Sequence, residues 1–323
     1  MRGRRLDTAL LRQNKRNNLI QTFKLIAGMA VILAVMGYVL FGKWGALAAV
    51  PIALVIAFFG PRVSPFVVLR MFRARMIHPD EAPQLYEIHS SLCQRAGLDS
   101  LPPLFYIPSR TMIAFATGMQ NRAAIAISDG LLRTLTPREL AGVLGHEISH
   151  ISHNDIRIMS LADSFSRFAS TSARAGLLSV AAALLLGFWQ GLWRLLILFL
   201  APAATALLQL ALSRSREFNA DMGSAELTRD PAGLASALAK LERLHPHGWL
   251  ERLGMPTDWR EEPTALRTHP PTRERIERLL DLVPQFDDQP NVVQLDKRHA
   301  LYPASFRRVR KPPGWHAASG YWY

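Results

Sequence analysis

The chain has 323 residues, enough for one large domain or two smaller ones, with 49% hydrophobic residues and a formal net charge of +13. Its single cysteine, Cys93, excludes an internal disulfide and a cysteine-based metal site. The positive charge would suit nucleic acid, but much of it hugs long apolar runs, so anionic lipid is the nearer partner and no nucleic-acid partner is expected.

Residues 1–24 form a basic segment, with Arg2, Arg4, Arg5, Arg12, Lys15, Arg16 and Lys24 against one acid, Asp7. The uncharged run from Leu25 to Phe41 is too long for the apolar part of a signal peptide and lacks a cleavage site. It reads as a membrane span. A second uncharged run extends from Trp44 to Gly60, so residues 25–60 read as a transmembrane hairpin with a tight turn at Gly42-Lys43. Arg62, Arg70, Arg73 and Arg75 follow at once. Basic clusters at both ends of the hairpin place both ends on the cytoplasmic side.

Residues 61–174 read as the first part of a soluble domain. Asp80 is placed to cap a helix from Glu81 to about Ala96, with Gly97 as its stop. Leu104 to Ile107 is a strand candidate. Ala114, Phe115, Ala116, Thr117 and Gly118 pair with Ala123 to Ser128 around a polar turn. A helix from about Pro137 to Ser152 follows: Thr136 supplies the N-cap oxygen, Pro137 the first helical position and Glu139 the capping-box carboxylate. This helix carries the H-E-x-x-H motif His146-Glu147-Ile148-Ser149-His150. Residues four apart lie about 40° apart around a helix and about 6 Å along it, so His146 and His150 share a face. Two imidazoles so placed can bind one metal ion, usually zinc, and Glu147 is placed to take a proton from water that the ion activates. The motif by itself is also compatible with two surface histidines. His153 shares the His146 face, but about 10.5 Å along the axis it cannot share an ion with both.

Residues 175–213 are apolar except for Arg194, too long for one span of about 20 residues. The stretch from Gly187 to Arg194, rich in tryptophan, divides them into a second hairpin, and Pro202 is a kink candidate. The segment from Ser213 to Asp221 is expected to open a new helix, on which Glu217 and Asp221 share a face. That pair can supply a third metal ligand, Glu217, and a carboxylate orienting a histidine, Asp221, although on the local sequence alone a solvated charged face is the favoured reading. If Glu217 does join His146 and His150, the chain between them must cross the membrane an even number of times, as two spans in 175–213 do. Asp230-Pro231 starts another helix to about Leu244, residues 245–268 are loop-like, and Thr272 caps a last helix from Arg273 to Leu282. Residues 214–283 thus form a second part of the soluble domain, and 284–323 a flexible basic tail.

Together these motifs are similar to the HtpX-type membrane metallopeptidases (heat-shock proteases), relatives of the CAAX prenyl endopeptidases. The resemblance is carried by Ala114 to Gly118, by His146 to His150 with Asp155, by Ser213 to Asp221, and by Thr268-His269-Pro270-Pro271-Thr272, in that order. It implies a mainly α, α+β protein: membrane-spanning helices plus a gluzincin-like zinc peptidase domain with a small β-sheet. One zinc ion per chain would be held by His146, His150 and Glu217, with Asp221 and Asp155 as supporting carboxylates and Glu147 as general base. His269 and Arg275 would face the metal and steady the oxyanion, and the Ala114 to Gly118 strand would pair with extended substrate. The expected partners are protein or peptide substrates, above all misfolded membrane proteins, and the bilayer of a bacterial inner membrane, with the active site facing the cytoplasm. A silent zinc-fold adaptor and a prenyl-protein-processing peptidase are the competing readings. The first is opposed by the complete ligand set with Glu147, and the second by the seven spans of that relative against four here. The chain departs from the family pattern at Ile113, where asparagine is usual, and in its tail.

Overall fold

The computed structural model describes residues 8–59, 65–118, 122–185, 192–244 and 272–286, with 315–316 and 321–322. It divides into two compact units, one from Val63–Ile156 and Arg216–Tyr323, the other from Arg4–Arg62 and Arg157–Ser215.

The second unit is helical. Helix α1 (Thr8–Phe59) leaves helical geometry at Gly42, with φ 63° and ψ −150°. Gly37 and Gly45 meet so closely that a Cβ on either would overlap the other's backbone. Eight residues of continuous helix would hold them about 12 Å apart, so the chain reverses at Gly42, in a conformation that suits glycine. This is the turn expected at Gly42-Lys43. Met29, Leu33, Met36 and Val39 of the first arm pack with Ala162, Phe165, Ala169, Ala173 and Val180 of α6 (Asp155–Leu185) and Leu198, Ala201 and Leu212 of α7 (Leu192–Thr228). The outward faces are equally apolar, with Val35, Phe41, Leu178, Leu196 and Phe199 all exposed. Among the described residues, Phe23–Ala49, which runs through the turn, and Trp193–Thr228 are long and apolar enough to cross a membrane.

Two boundaries differ from expectation. Residues 157–174 group with the helical unit, because Phe165, Ala169 and Ala173 belong to its core. The helix expected to open near Ser213 is the continuation of α7, which runs unbroken from the apolar segment, past Pro202, through Glu217 and Asp221. Of the divide expected from Gly187 to Arg194, residues 187–191 lie outside the described residues, and Leu192, Trp193 and Arg194 already belong to α7.

The first unit holds a four-stranded sheet in the order β1-β2-β4-β3. Strand β1 (Arg75–Met76) is antiparallel to β2 (Leu104–Ile107), which is parallel to β4 (Ala124–Ser128), and β3 (Ala114–Thr117) is antiparallel to β4 and forms an edge. The short helix α2 (Pro65–Met71) precedes β1. Helix α3 (Pro83–Arg95) starts two residues later than expected, with Ala82 rather than Asp80 at the N-cap, and stops before Gly97 at φ 66°. Helix α4 (Asp129–Thr134) leads into α5 (Pro137–Ser152), most of whose side chains are buried. Helix α8 (Pro231–Leu244) packs along it, and α9 (Thr272–Phe286) extends four residues further than expected, ending on buried Phe286. In the tail, β5 (Trp315–His316) pairs antiparallel with β6 (Tyr321–Trp322).

Candidate active site

The site is built on α5, and α5 is fixed at its start. Thr136 and Glu139 form the capping box, with Thr136 N–H donating to Glu139 Oε2 at 2.8 Å. Glu139 also receives Lys240 Nζ and Ser236 Oγ from α8, each at 2.6 Å, so the cap doubles as a tie between helices. The Arg138–Asp230 pair adds a second tie. Helix α7 approaches α5 through Gly223, where a Cβ would overlap Ser149 Oγ, and Ser224 Oγ donates to the Gly142 carbonyl at 2.7 Å. That approach brings Glu217 and Asp221 against the two histidines.

His146 Nε2 lies 3.1 Å from His150 Nε2 and 3.4 Å from Glu217 Oε2, while His150 Nε2 lies 3.6 Å from Glu217 Oε1. Donor atoms at about 2.0–2.1 Å from a tetrahedral ion sit about 3.3 Å from one another, so these spacings fit a single small cation at their centre. The Nδ1 atoms are already engaged, His146 with Asp221 Oδ1 at 3.0 Å and His150 with Asp155 Oδ2 at 2.9 Å. Each ring therefore has Nε2 to offer. Burial by itself would lower the pKa of both imidazoles; their carboxylate partners outweigh it and raise both, His150 well above its ordinary value.

Each supporting carboxylate has its own buried arginine. Arg275 of α9 donates Nε to Asp221 Oδ2 at 2.8 Å and Nη2 to Oδ1 at 2.6 Å, and its Nη1 lies 3.1 Å from Glu217 Oε2. Arg216 Nη1 donates to Asp155 Oδ1 at 2.9 Å, with both side chains buried. His146–Asp221–Arg275 and His150–Asp155–Arg216 are thus two parallel chains converging on one point. Arg278 stacks on Phe218 at 3.8 Å and seats α9 on α7.

Glu147 points to the sheet. Its Oε2 accepts the Ala116 N–H at 2.8 Å. Ala114 and Ala116 are half-buried, while Phe115 packs inward with Leu69 and Phe72, and Ile113 joins that cluster from its rim. The residue found where the family usually has asparagine is therefore a packing residue.

Of the expected site residues, the structure brings together His146, Glu147, His150, Asp155, Glu217, Asp221, Arg275 and Ala116, with Ala114, Phe115, Thr117 and Gly118 on or beside the same edge strand. His269 lies outside the described residues. All three Arg275 nitrogens face Asp221 and Glu217. Arg216 was not anticipated from the sequence; the one signal for it was a buried carboxylate at Asp155 that needed a cation.

Two helix-borne histidines and a carboxylate around one point, with a glutamate beside them over a sheet edge, define a metallopeptidase site. The family model "Peptidase family M48" matches residues 79–283. A protease HtpX homolog of Methylibium petroleiphilum is 34% identical over 83% of this chain and 99% of its own length. One of Thermococcus sibiricus is 37% identical over 80% of this chain and 94% of its own. A crystal structure of S. mikatae Ste24p aligns with a TM-score of 0.42 and 18% identity, over 83% of this chain and 66% of that one. The chain belongs to peptidase family M48, among its HtpX-type members. It is a metalloprotease of that family, with His146, His150 and Glu217 as its candidate metal-binding triad.

Proposed function

We propose that this protein is a zinc endopeptidase of a bacterial inner membrane that cuts misfolded or damaged membrane proteins at the cytoplasmic face. The observation that carries the reading is the joint placement of the ligand set and Glu147, whose carboxylate rests on the backbone of the edge strand. A zinc ion bound there supplies Lewis acidity, polarising the scissile carbonyl and lowering the pKa of water. Glu147 takes a proton from the attacking water and returns it to the leaving amine. The β3 edge, whose Ala116 N–H holds Glu147, pairs with an extended substrate backbone through Ala114 and Ala116 and draws the scissile bond past the ligands. His269 steadies the oxyanion. Arg275, engaged with Asp221 and Glu217, acts through them and holds the ligand field in place. Basic residues at both ends of the N-terminal hairpin support the cytoplasmic orientation.

The test is cleavage of unfolded casein by the detergent-purified protein beside Glu147→Gln, with the metal content of both determined. Glu147→Gln should retain about one zinc per chain and lose about 10²–10⁴-fold in turnover. Zinc on both proteins with equal cleavage would remove Glu147 from the mechanism. Zinc on both with no cleavage by either would point away from a general endopeptidase.

A further inference from the structure

Helix α2 divides cleanly into two faces. At about 100° per residue, Phe66, Val67, Arg70 and Met71 fall within an arc of about 140°, and Pro65, Val68 and Leu69 face the other way. The second face is the packed one: Leu69 and Val68 join Phe72, Phe105, Ile107 and Phe115 over the sheet. The first is bare and mostly apolar, with Phe66 74%, Val67 54% and Met71 41% exposed. Three large apolar side chains out of four are far more than a water-facing helix of this length usually shows. The fourth, Arg70, is also exposed, and Arg73 and Arg75 follow it. An apolar face with a basic margin matches the bilayer interface, where the apolar groups sink below the headgroups and the guanidinium meets lipid phosphate.

The chain itself limits where α2 can go. Helix α1 is uncharged from Trp44 to its last residue, Phe59. Six Cα–Cα steps separate Phe59 from Pro65, a reach of at most about 21 Å. One headgroup layer is about 5–8 Å thick, so if α1 ends at the bilayer surface, α2 begins within about 15 Å of that layer.

We propose that the exposed face of α2 is an interfacial anchor seated in anionic lipid on the cytoplasmic leaflet. This rests on the membrane reading above and adds a second, peripheral attachment, one that belongs to the peptidase unit itself. The attachment bears on catalysis through packing. Phe72 packs against Phe115 of β3 with the rings tilted 49° and their centroids 5.1 Å apart, and a Cβ on Gly118 would press on the Pro65 ring. The lipid-seated helix is thus the support of the substrate-pairing strand, and it sets that strand near the level at which a polypeptide leaves the bilayer.

The experiment is spin labelling of the full chain in vesicles of equal parts phosphatidylglycerol and phosphatidylcholine, comparing collisions with oxygen and with a water-soluble nickel chelate. Cys93 can stay, because it is buried and burial pushes its thiol up to about 12. Val35→Cys, on the exposed apolar face of α1, reports the membrane reading; Val67→Cys reports the anchor. Oxygen collisions exceeding nickel collisions severalfold at both positions, with the Val67 ratio lowered by Arg70→Glu, are the expected result. Oxygen dominance at Val35 with nickel dominance at Val67 would overturn the anchor and leave the membrane reading intact. A Val67 label shielded from both reagents would also overturn it, since protein rather than lipid would then cover the face. Nickel dominance at both positions would overturn the two together.

Discussion

The two units bury opposite things. The peptidase unit hides charge: His146, Glu147, Asp155, Arg216, Glu217, Asp221 and Arg275 are all buried, each engaged with another member of the group or with backbone. Among the described residues of the helical unit, the only buried polar side chains are hydroxyls, Ser164, Thr205 and Ser213. Two of these donate to carbonyls one turn back. Its apolar residues meanwhile cover both the inside and the outside. A water-facing domain can hold ions in its core when every one is partnered, and a lipid-facing bundle has no water in which to keep its surface polar. The same chain follows both rules, changing from one to the other within α6 and again within α7.

The largest disturbance of this contrast is removal of a ligand from the charged core. Glu217→Ala should take the metal content from about one per chain to near zero, abolishing cleavage, because two imidazoles alone leave the ion under-coordinated; atomic absorption on purified protein reads it. Arg216→Met comes next. It leaves Asp155 buried without its cation, which costs about 3–5 kcal/mol, and a disturbed carboxylate–histidine pair weakens metal binding about 10–100-fold. Competition with a zinc chelator measures the second effect separately from thermal melting. If Arg216→Met melted like wild type and kept its zinc, the two chains behind the histidines would not be equivalent. On the helical unit the opposite change is the damaging one: Leu196→Asp, on an exposed apolar position, should oppose insertion by about 2.5–3.5 kcal/mol, seen as a lower membrane-integrated fraction. Thr136→Ala should be mildest, at about 1 kcal/mol of stability, since it removes the N-cap oxygen while Glu139 keeps Ser236 and Lys240. A much larger loss would mean that the cap itself, rather than the tie to α8, positions α5.

What the sequence disclosed was local chemistry. The motif helix was legible because Thr136, Pro137 and Glu139 mark its start within four residues and its histidines are one turn apart. The Gly42 reversal was legible because a glycine and a charge interrupt an apolar run. The pairing of β3 with β4 followed from two short β-prone stretches around a polar turn. The unbroken course of α7 was not legible: composition changes sharply at Ser213-Arg214, yet no glycine or proline breaks the helix there, and backbone geometry follows breakers rather than polarity. The Arg216–Asp155 contact joins residues far apart in the chain, and nothing at either position names the other. Glu217 stood between, more readable locally as a solvated charge than as a ligand until the order of several motifs was taken together.

The position of the helical unit within the chain has a consequence for biosynthesis. His146 and His150 leave the ribosome before α6 and the apolar half of α7, and Glu217, Asp221 and Arg275 leave it after them. A nascent chain that has not yet completed those helices carries His146, Glu147 and His150 without Glu217, Asp221 or Arg275. The candidate triad is therefore complete only once α7 has been made.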